Sequence, residues 1–193
     1  MEFQNTESCK KILLNMNLGF DLDKVFIDYP PFVPDKLIDY LYKKKEDKTL
    51  VYRIPSRPEQ LLRIFTHYSF FRPPIAKNVK FIKNLSKTKT NKYYLVSSRF
   101  SFLKKQTNDI TNKYGLSKIF DQMFFNFENQ QPHIFKNGVI KKIKIDRYVD
   151  YDLPLLKFIA EDNKNVKFFW LNKTIKKQLS KNIIAITNIS EIL

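Results

Sequence analysis

The sequence predicts an α/β protein, a parallel β-sheet with helices on both faces and a small helical block inserted after the first strand. Three observations carry this expectation. From Lys92 onward, short apolar runs of the buried-strand kind alternate with helical periodicity. Acids and hydroxyls fall where several of those runs end. Residues 28–90, in contrast, are broken repeatedly by proline and carry helical spacing between the breaks.

In chain order, Asn17-Leu18-Gly19-Phe20 is an apolar stretch running into Asp21 and Asp23, and Val25-Phe26-Ile27 follows. This reads as a short strand ending at Asp21 and then a turn. Residues 29–34 hold three prolines in six positions, which forbids helix and continuous strand. Pro34 can open a helix over 35–44, where Leu37, Ile38, Leu41 and Tyr42 have helical spacing. After the break at 54–58, Ser56 can cap a helix, with Glu59 three residues on as in a capping box. That helix carries Leu61, Leu62, Ile64 and Phe65; a further one over 76–85 carries Val79, Phe81, Ile82 and Leu85.

The remaining pattern is strand 93–97, helix 101–114 ended by Gly115, strand 123–125, helix 137–144 and a strand near 148–150. Helix 153–161, strand 166–170, a short helix over 173–180 and strand 183–186 complete it. The implied organisation is a core from 1–27 and 91–193 with an inserted block at 28–90.

A chain of 193 residues that is 43% hydrophobic can bury one real core. The net charge of +16 favours an anionic ligand or partner: a phosphorylated small molecule, or nucleic acid. The lysine runs, such as Lys43-Lys44-Lys45, each read as a solvated helix face or loop. Cys9 is the one cysteine, so no intrachain disulfide forms, which suits a reducing compartment. No apolar stretch is long enough to span a bilayer. The expectation is a cytoplasmic protein without a membrane partner.

In open α/β sheets, ligands bind beyond the carboxyl ends of the strands. Asp21 and Asp23 follow the first strand, Ser97 closes 93–97, Asp150 and Asp152 close the strand near 148–150, and Lys136 precedes the helix before it. These are the groups that magnesium-dependent phosphoryl transfer uses. Hard oxygens hold Mg²⁺, a hydroxyl and an ammonium hold phosphate oxygens, and a carboxylate can itself attack phosphorus.

Phe20-Asp21-Leu22-Asp23-Lys24-Val25-Phe26-Ile27-Asp28 resembles the first motif of the haloacid dehalogenase-like superfamily. Leu95-Val96-Ser97-Ser98-Arg99 resembles its second motif in the nucleotidase-like form. Lys136 stands where the third-motif lysine belongs, and Tyr148-Val149-Asp150-Tyr151-Asp152 resembles the acidic fourth motif. The resemblance implies a Mg²⁺-dependent phosphatase, nucleotidase-like, that works through an aspartyl-phosphate on a small phosphorylated metabolite or nucleotide. It implies Asp21 as nucleophile and metal ligand, and Asp23 as general acid and base with its carbonyl on the metal. Ser97, Ser98 and Arg99 would bind phosphate, Lys136 would neutralise charge and bind phosphate, and Asp150 would complete the metal site. The block 28–90 would be a C1-type cap. Two positions depart from the pattern. Lys24 replaces a frequent glycine, and Tyr151 stands where an acid often follows, leaving Asp152 to substitute.

Plainer readings stand beside these. Asp152 can cap the helix that starts near Pro154, and Lys141, Lys142 and Lys144 rival Lys136. His67 and His133 read as surface or packing residues, Arg53, Arg57 and Arg72 as surface residues with an anion-reading role as the lesser alternative, and Trp170 as core. The competing function is a catalytically weak or inactive chain of the same fold that binds nucleic acid through its basic surface.

Overall fold

A computed structural model describes residues 15–31, 43–46 and 49–193. Its centre is a seven-stranded sheet built from β1 (Asn17–Phe20), β4 (Lys92–Ser97), β5 (Gln122–Phe125), β6 (Arg147–Asp150), β7 (Lys167–Leu171), β8 (Lys177–Gln178) and β9 (Ile183–Ile186). The order is β5-β4-β1-β6-β7-β9-β8, parallel throughout except for β8. From β1 the chain moves outward to β4 and β5, then returns to the opposite side of β1 with β6. That reversal is the topological switch point where open α/β sheets hold ligands.

Alternation along the strands builds two cores. Leu18, Phe20, Tyr93, Leu95, Val149 and Phe169 face one side, with Ile82 of α2 (Ala76–Leu85) and Ile110 of α3 (Lys104–Lys113). Tyr94, Val96, Tyr148 and Phe168 face the other, under α4 (Pro132–Lys142) and α5 (Leu153–Asp162). A sheet covered on both faces needs apolar residues at successive positions, which is why its strands read as continuous runs.

Gly19 has a steric reason. A Cβ there would lie 2.7 Å from Cδ2 of Tyr148, whose ring is fully buried and whose hydroxyl donates to the Val96 carbonyl at 3.3 Å. The ring has nowhere to retreat. Gly19→Ala is therefore expected to destabilise by about 1–3 kcal/mol, read as a lower urea midpoint at unchanged slope.

The insertion leaves the sheet after the turn that follows β1 and returns at the same place. Asp28 N–H donates to the Pro73 carbonyl at 2.9 Å, and Ile75 N–H to the Phe26 carbonyl at 2.7 Å. Between those points lie an antiparallel hairpin, β2 (Lys43–Glu46) with β3 (Thr49–Tyr52), and helix α1 (Arg57–Thr66). At the head of α1, Ser56 N–H donates to Glu59 Oε2 at 2.7 Å, as the capping-box spacing predicts.

Several elements differ from the sequence reading. Most of the helix expected over 35–44 lies outside the described residues; its last two positions, Lys43 and Lys44, belong to a strand, so the insertion is not wholly helical. α2 packs Ile82 into the sheet core. α4 begins at Pro132, using proline's preset φ at its first turn, so Lys136 sits inside the helix rather than ahead of it. Residues 173–180 form no helix. Asn172 Oδ1 accepts the Thr174 and Ile175 N–H groups and turns the chain, and the free edge of β9 takes up β8. Among the described residues, no helix is long and apolar enough to cross a membrane.

α1 does not bury its larger apolar side chains. Leu61, Leu62 and Phe65 are exposed, while Arg63 and His67, one turn apart, are buried and face the carboxyl end of the sheet. A helix that turns a polar pair inward and its leucines outward faces a polar cavity.

Candidate active site

The site forms at the ends of β1, β4 and β6. Asp21 N–H continues the ladder by donating to the Val149 carbonyl at 2.9 Å, which fixes Asp21 beside β6. The next residues wind tightly. Phe26 and Ile27 N–H both donate to the Leu22 carbonyl, and Lys24 takes the left-handed region at φ 60°. That conformation costs a non-glycine residue about 1–2 kcal/mol. The Lys24 ammonium is held against Asp28 at 2.7 Å and over the Tyr29 ring at 4.3 Å.

Asp21, Lys136 and Asp150 converge. Lys136 Nζ donates to Asp21 Oδ1 at 2.8 Å and to Asp150 Oδ2 at 2.7 Å, and all three side chains are buried. They come from β1, α4 and β6, far apart in sequence. Burial, the largest effect, outweighs the attraction of Lys136 and, together with the charges of Asp150 and Asp23, pushes Asp21 up to about 8. For Lys136, burial opposes the charge, but Asp150 and Asp21 outweigh it and hold the ammonium well above its ordinary range.

Asp23 lines the same cavity but has other partners. Arg99 grips it with two donors, Nε at 2.9 Å and Nη2 at 2.7 Å, and Arg72 Nη1 adds a longer contact at 3.4 Å. Burial pushes its carboxyl upward, but the Arg99 charge and hydrogen bonds, then Arg72, hold it well below the usual carboxylate range. Arg72 is in turn seated by His67. His67 Nδ1 donates to the Arg63 carbonyl at 2.7 Å, which leaves Nε2 to accept from Arg72 Nη2. Burial, followed by the charges of Arg72 and Arg99, keeps His67 neutral.

Arg72 is thus no surface residue. It is 2% exposed and part of the Asp23 clasp. His67 packs, as the sequence reading has it, with a positioning duty added. Trp170 is half-buried at the rim, its Nε1 donating to the Tyr151 carbonyl at 2.9 Å.

Asp152 donates its N–H to Asp150 Oδ1 at 3.0 Å. Its Oδ1 accepts the Leu155 N–H at 3.4 Å and caps α5, while Oδ2 accepts the hydroxyl of Tyr52 at 2.8 Å. The cap role read from the sequence is thus present in Asp152, with the Tyr52 bond added to it. Tyr52 is a site residue without a signal in the sequence. It sits on β3, and its backbone is clamped to the head of α4 by Gln131, whose Oε1 accepts the Tyr52 N–H at 2.9 Å and whose Nε2 donates back at 3.2 Å.

These groups line a cavity of about 100 Å³ together with Ser97 and Ser98. Both serine hydroxyls are buried and, among the described residues, lack a hydrogen-bond partner. An orphaned buried hydroxyl costs about 1–3 kcal/mol, so two of them side by side mark a place where ligand oxygens complete the bonding.

The donor set also fits a hard divalent cation. Two buried carboxyl groups share a single ammonium, which leaves acidic oxygens for a cation to neutralise. Among the described residues, no three His, Cys, Asp or Glu side chains gather as a closed metal cage. Mg²⁺ does not require one, since it is commonly held by one or two carboxylates with waters and substrate phosphate completing its shell.

No protein-family model matches the sequence, and no curated protein sequence matches it. Solved structures do. The chain is similar to a haloacid dehalogenase-like family hydrolase from Streptococcus pneumoniae, at 11% identity over 92% of this chain and 96% of that one, with a TM-score of 0.57. It is similar to a candidate beta-phosphoglucomutase from Thermotoga maritima, at 15% identity over 92% and 96%, with a TM-score of 0.60. It is also similar to a haloacid dehalogenase-like family hydrolase from Xanthomonas campestris, at 10% identity over 91% of each chain, with a TM-score of 0.53. What is shared at such identities is the fold. This chain has the haloacid dehalogenase-like α/β fold, with Asp21 directly after β1, the third of the seven strands in its sheet.

Proposed function

We propose that the protein is a Mg²⁺-dependent phosphomonoester hydrolase in which Asp21 is the nucleophile. The observation that carries this reading is the bridge of Lys136 between Asp21 and Asp150 beside the two partnerless hydroxyls of Ser97 and Ser98. One side of the cavity offers a carboxylate to attack, and the other offers donors to hold what is attacked.

Asp21, Asp150 and the backbone carbonyl of Asp23 would hold the cation, which when bound supplies charge neutralisation for the phosphoryl oxygens. Ser97, Ser98 and Lys136 orient the phosphoryl group. An oxygen of Asp21 attacks phosphorus, the bond to the leaving oxygen breaks, and an aspartyl-phosphate remains for water to open. Asp23 serves both halves. It takes the proton from the attacking water as the carboxylate Arg99 already maintains, and it gives a proton to the leaving group only after loosening from Arg99 and Arg72. The insertion between Asp28 and Pro73 acts as a cap, bringing Arg63, His67 and Tyr52 over the cavity and excluding water. The substrate is a small phosphorylated metabolite or nucleotide.

The direct test is release of phosphate from an aryl phosphate by the purified chain, with Mg²⁺ and with a chelator. No release in the presence of Mg²⁺, from this or any phosphomonoester, overturns the reading. Ser97→Ala separates catalysis from folding. Loss of one preorganised donor is expected to lower turnover by about 10²-fold. Thermal stability should hold or rise, because the removed hydroxyl satisfies no bond in the protein.

A further inference from the structure

A second cavity, about 510 Å³, opens at the same end of the sheet on the far side of a tyrosine partition. The partition is Tyr29 and Tyr151, hydroxyl to hydroxyl with their rings edge to face, and Tyr151 lines both cavities. The catalytic cavity holds little more than a phosphoryl group, so the rest of any larger substrate must lie outside it. The second cavity is of the size that receives a small organic ligand.

Its walls are selective. Lys24, Lys77 and Lys173 contribute positive charge, with Asp28, salt-bridged to Lys24, as the acid among them. Trp170 and Tyr151 contribute aromatic surface, and Trp170 is fixed by its Nε1 bond to the Tyr151 carbonyl. Asn78 is 2% exposed and anchored by donating to the Val25 carbonyl at 2.6 Å, yet its Oδ1 has no partner among the described residues. A buried acceptor held rigid and left unpaired on a cavity wall calls for a ligand donor. Cationic, aromatic and acceptor groups together match a nucleotide unit: phosphate for the lysines, base for the rings, and a hydroxyl or amino donor for Asn78.

We infer that this second cavity is the subsite for a nucleotide unit of the substrate whose terminal phosphate enters at Asp21. The inference rests on the phosphatase reading and names its substrate class. Two sources share this chemistry, a free nucleotide and the phosphorylated end of a nucleic acid. The lysines outside the catalytic cavity favour the second, because a strand brings another phosphate with its next unit.

Trp170 is the chain's single tryptophan, so its fluorescence reports on this cavity directly. The experiment titrates the full chain, with Asp21→Asn to prevent turnover, using inorganic phosphate, a nucleoside monophosphate and a terminally phosphorylated dinucleotide. The expected result is saturable quenching by the dinucleotide, tightest of the three. Its Kd should weaken at least tenfold on adding Lys77→Glu and Lys173→Glu, two exposed positions, while the melting temperature of the chain bearing those two changes stays unaltered. Equal quenching by the monophosphate, with the same loss on charge reversal, supports the subsite and assigns it to free nucleotides. No quenching by either nucleotide, or quenching that charge reversal leaves unchanged, overturns the subsite. Failure of the wild-type chain to hydrolyse any phosphomonoester overturns the phosphatase reading instead, and the fluorescence result stands apart from it.

Discussion

Asp21→Asn is expected to abolish phosphate release, by about 10³-fold or more, while the protein stays folded. The amide keeps the shape of the carboxyl and can accept from Lys136, but it cannot attack phosphorus or form an acyl phosphate. The stability half of this prediction follows from the raised value of Asp21, about 8 in the fold against 3.8 in the unfolded chain. Between those values the native state binds more protons than the unfolded one, so the wild type loses stability as pH rises from about 4 to 8. Asparagine has no proton to lose. Without Mg²⁺, the variant's melting temperature is therefore expected to gain on the wild type across that window, the gap widening toward pH 8. Melts at pH 5, 6.5 and 8 beside a phosphate-release assay check both halves. An inactive variant that also unfolds would leave loss of fold as the cause. An active one would remove Asp21 from the reaction.

The strand-end residues are legible in sequence because a parallel sheet writes its strands as apolar runs, and a polar residue closing such a run has one place to be. Asp21, Ser97 and Asp150 are of this kind. Lys136 is harder. Nothing local tells its stem from those of Lys141 and Lys142, and the proline that starts α4 early lies at position 132, four residues ahead of it. What sequence does not disclose is the pairing contributed by the insertion. Tyr52 reaches Asp152 across 100 positions and Arg72 reaches Asp23 across 49, and neither contact has a periodicity to announce it. The misread elements share a physical cause. Residues 173–180 hold helix-compatible side chains, but Asn172 turns the chain and an open strand edge outbids local propensity. α1 is located correctly from its cap and spacing, but its buried side is not legible there, because periodicity shows that a helix has two faces and not which one a site requires. Arg63 and His67 at i and i+4 are the signal that could have revealed it.

Lys136→Met carries the larger structural penalty. The methionine fills the space of the lysine stem, so what changes is charge. Asp21 and Asp150 then face each other without the ammonium now 2.8 and 2.7 Å away. Removing one partner from a buried charge cluster costs about 3–5 kcal/mol, expected as a lower urea midpoint in the absence of metal. Three accompanying measurements assign that loss to charge. Saturating Mg²⁺ is expected to recover part of it, since a cation placed between the carboxylates replaces the one removed. Adding Asp150→Asn is expected to recover much of it too, making the double variant more stable than the single one, a non-additivity that simple loss of packing does not produce. Turnover is expected to stay down by about 10²–10³-fold even with Mg²⁺ present, because the ammonium also faces the phosphoryl group and the metal cannot stand in both places. A Lys136→Met chain as stable as the wild type, or one whose deficit neither Mg²⁺ nor Asp150→Asn relieves, would show that these three side chains do not act as one electrostatic unit. The case for a phosphoryl-transfer site at the end of β1 would then lose its foundation.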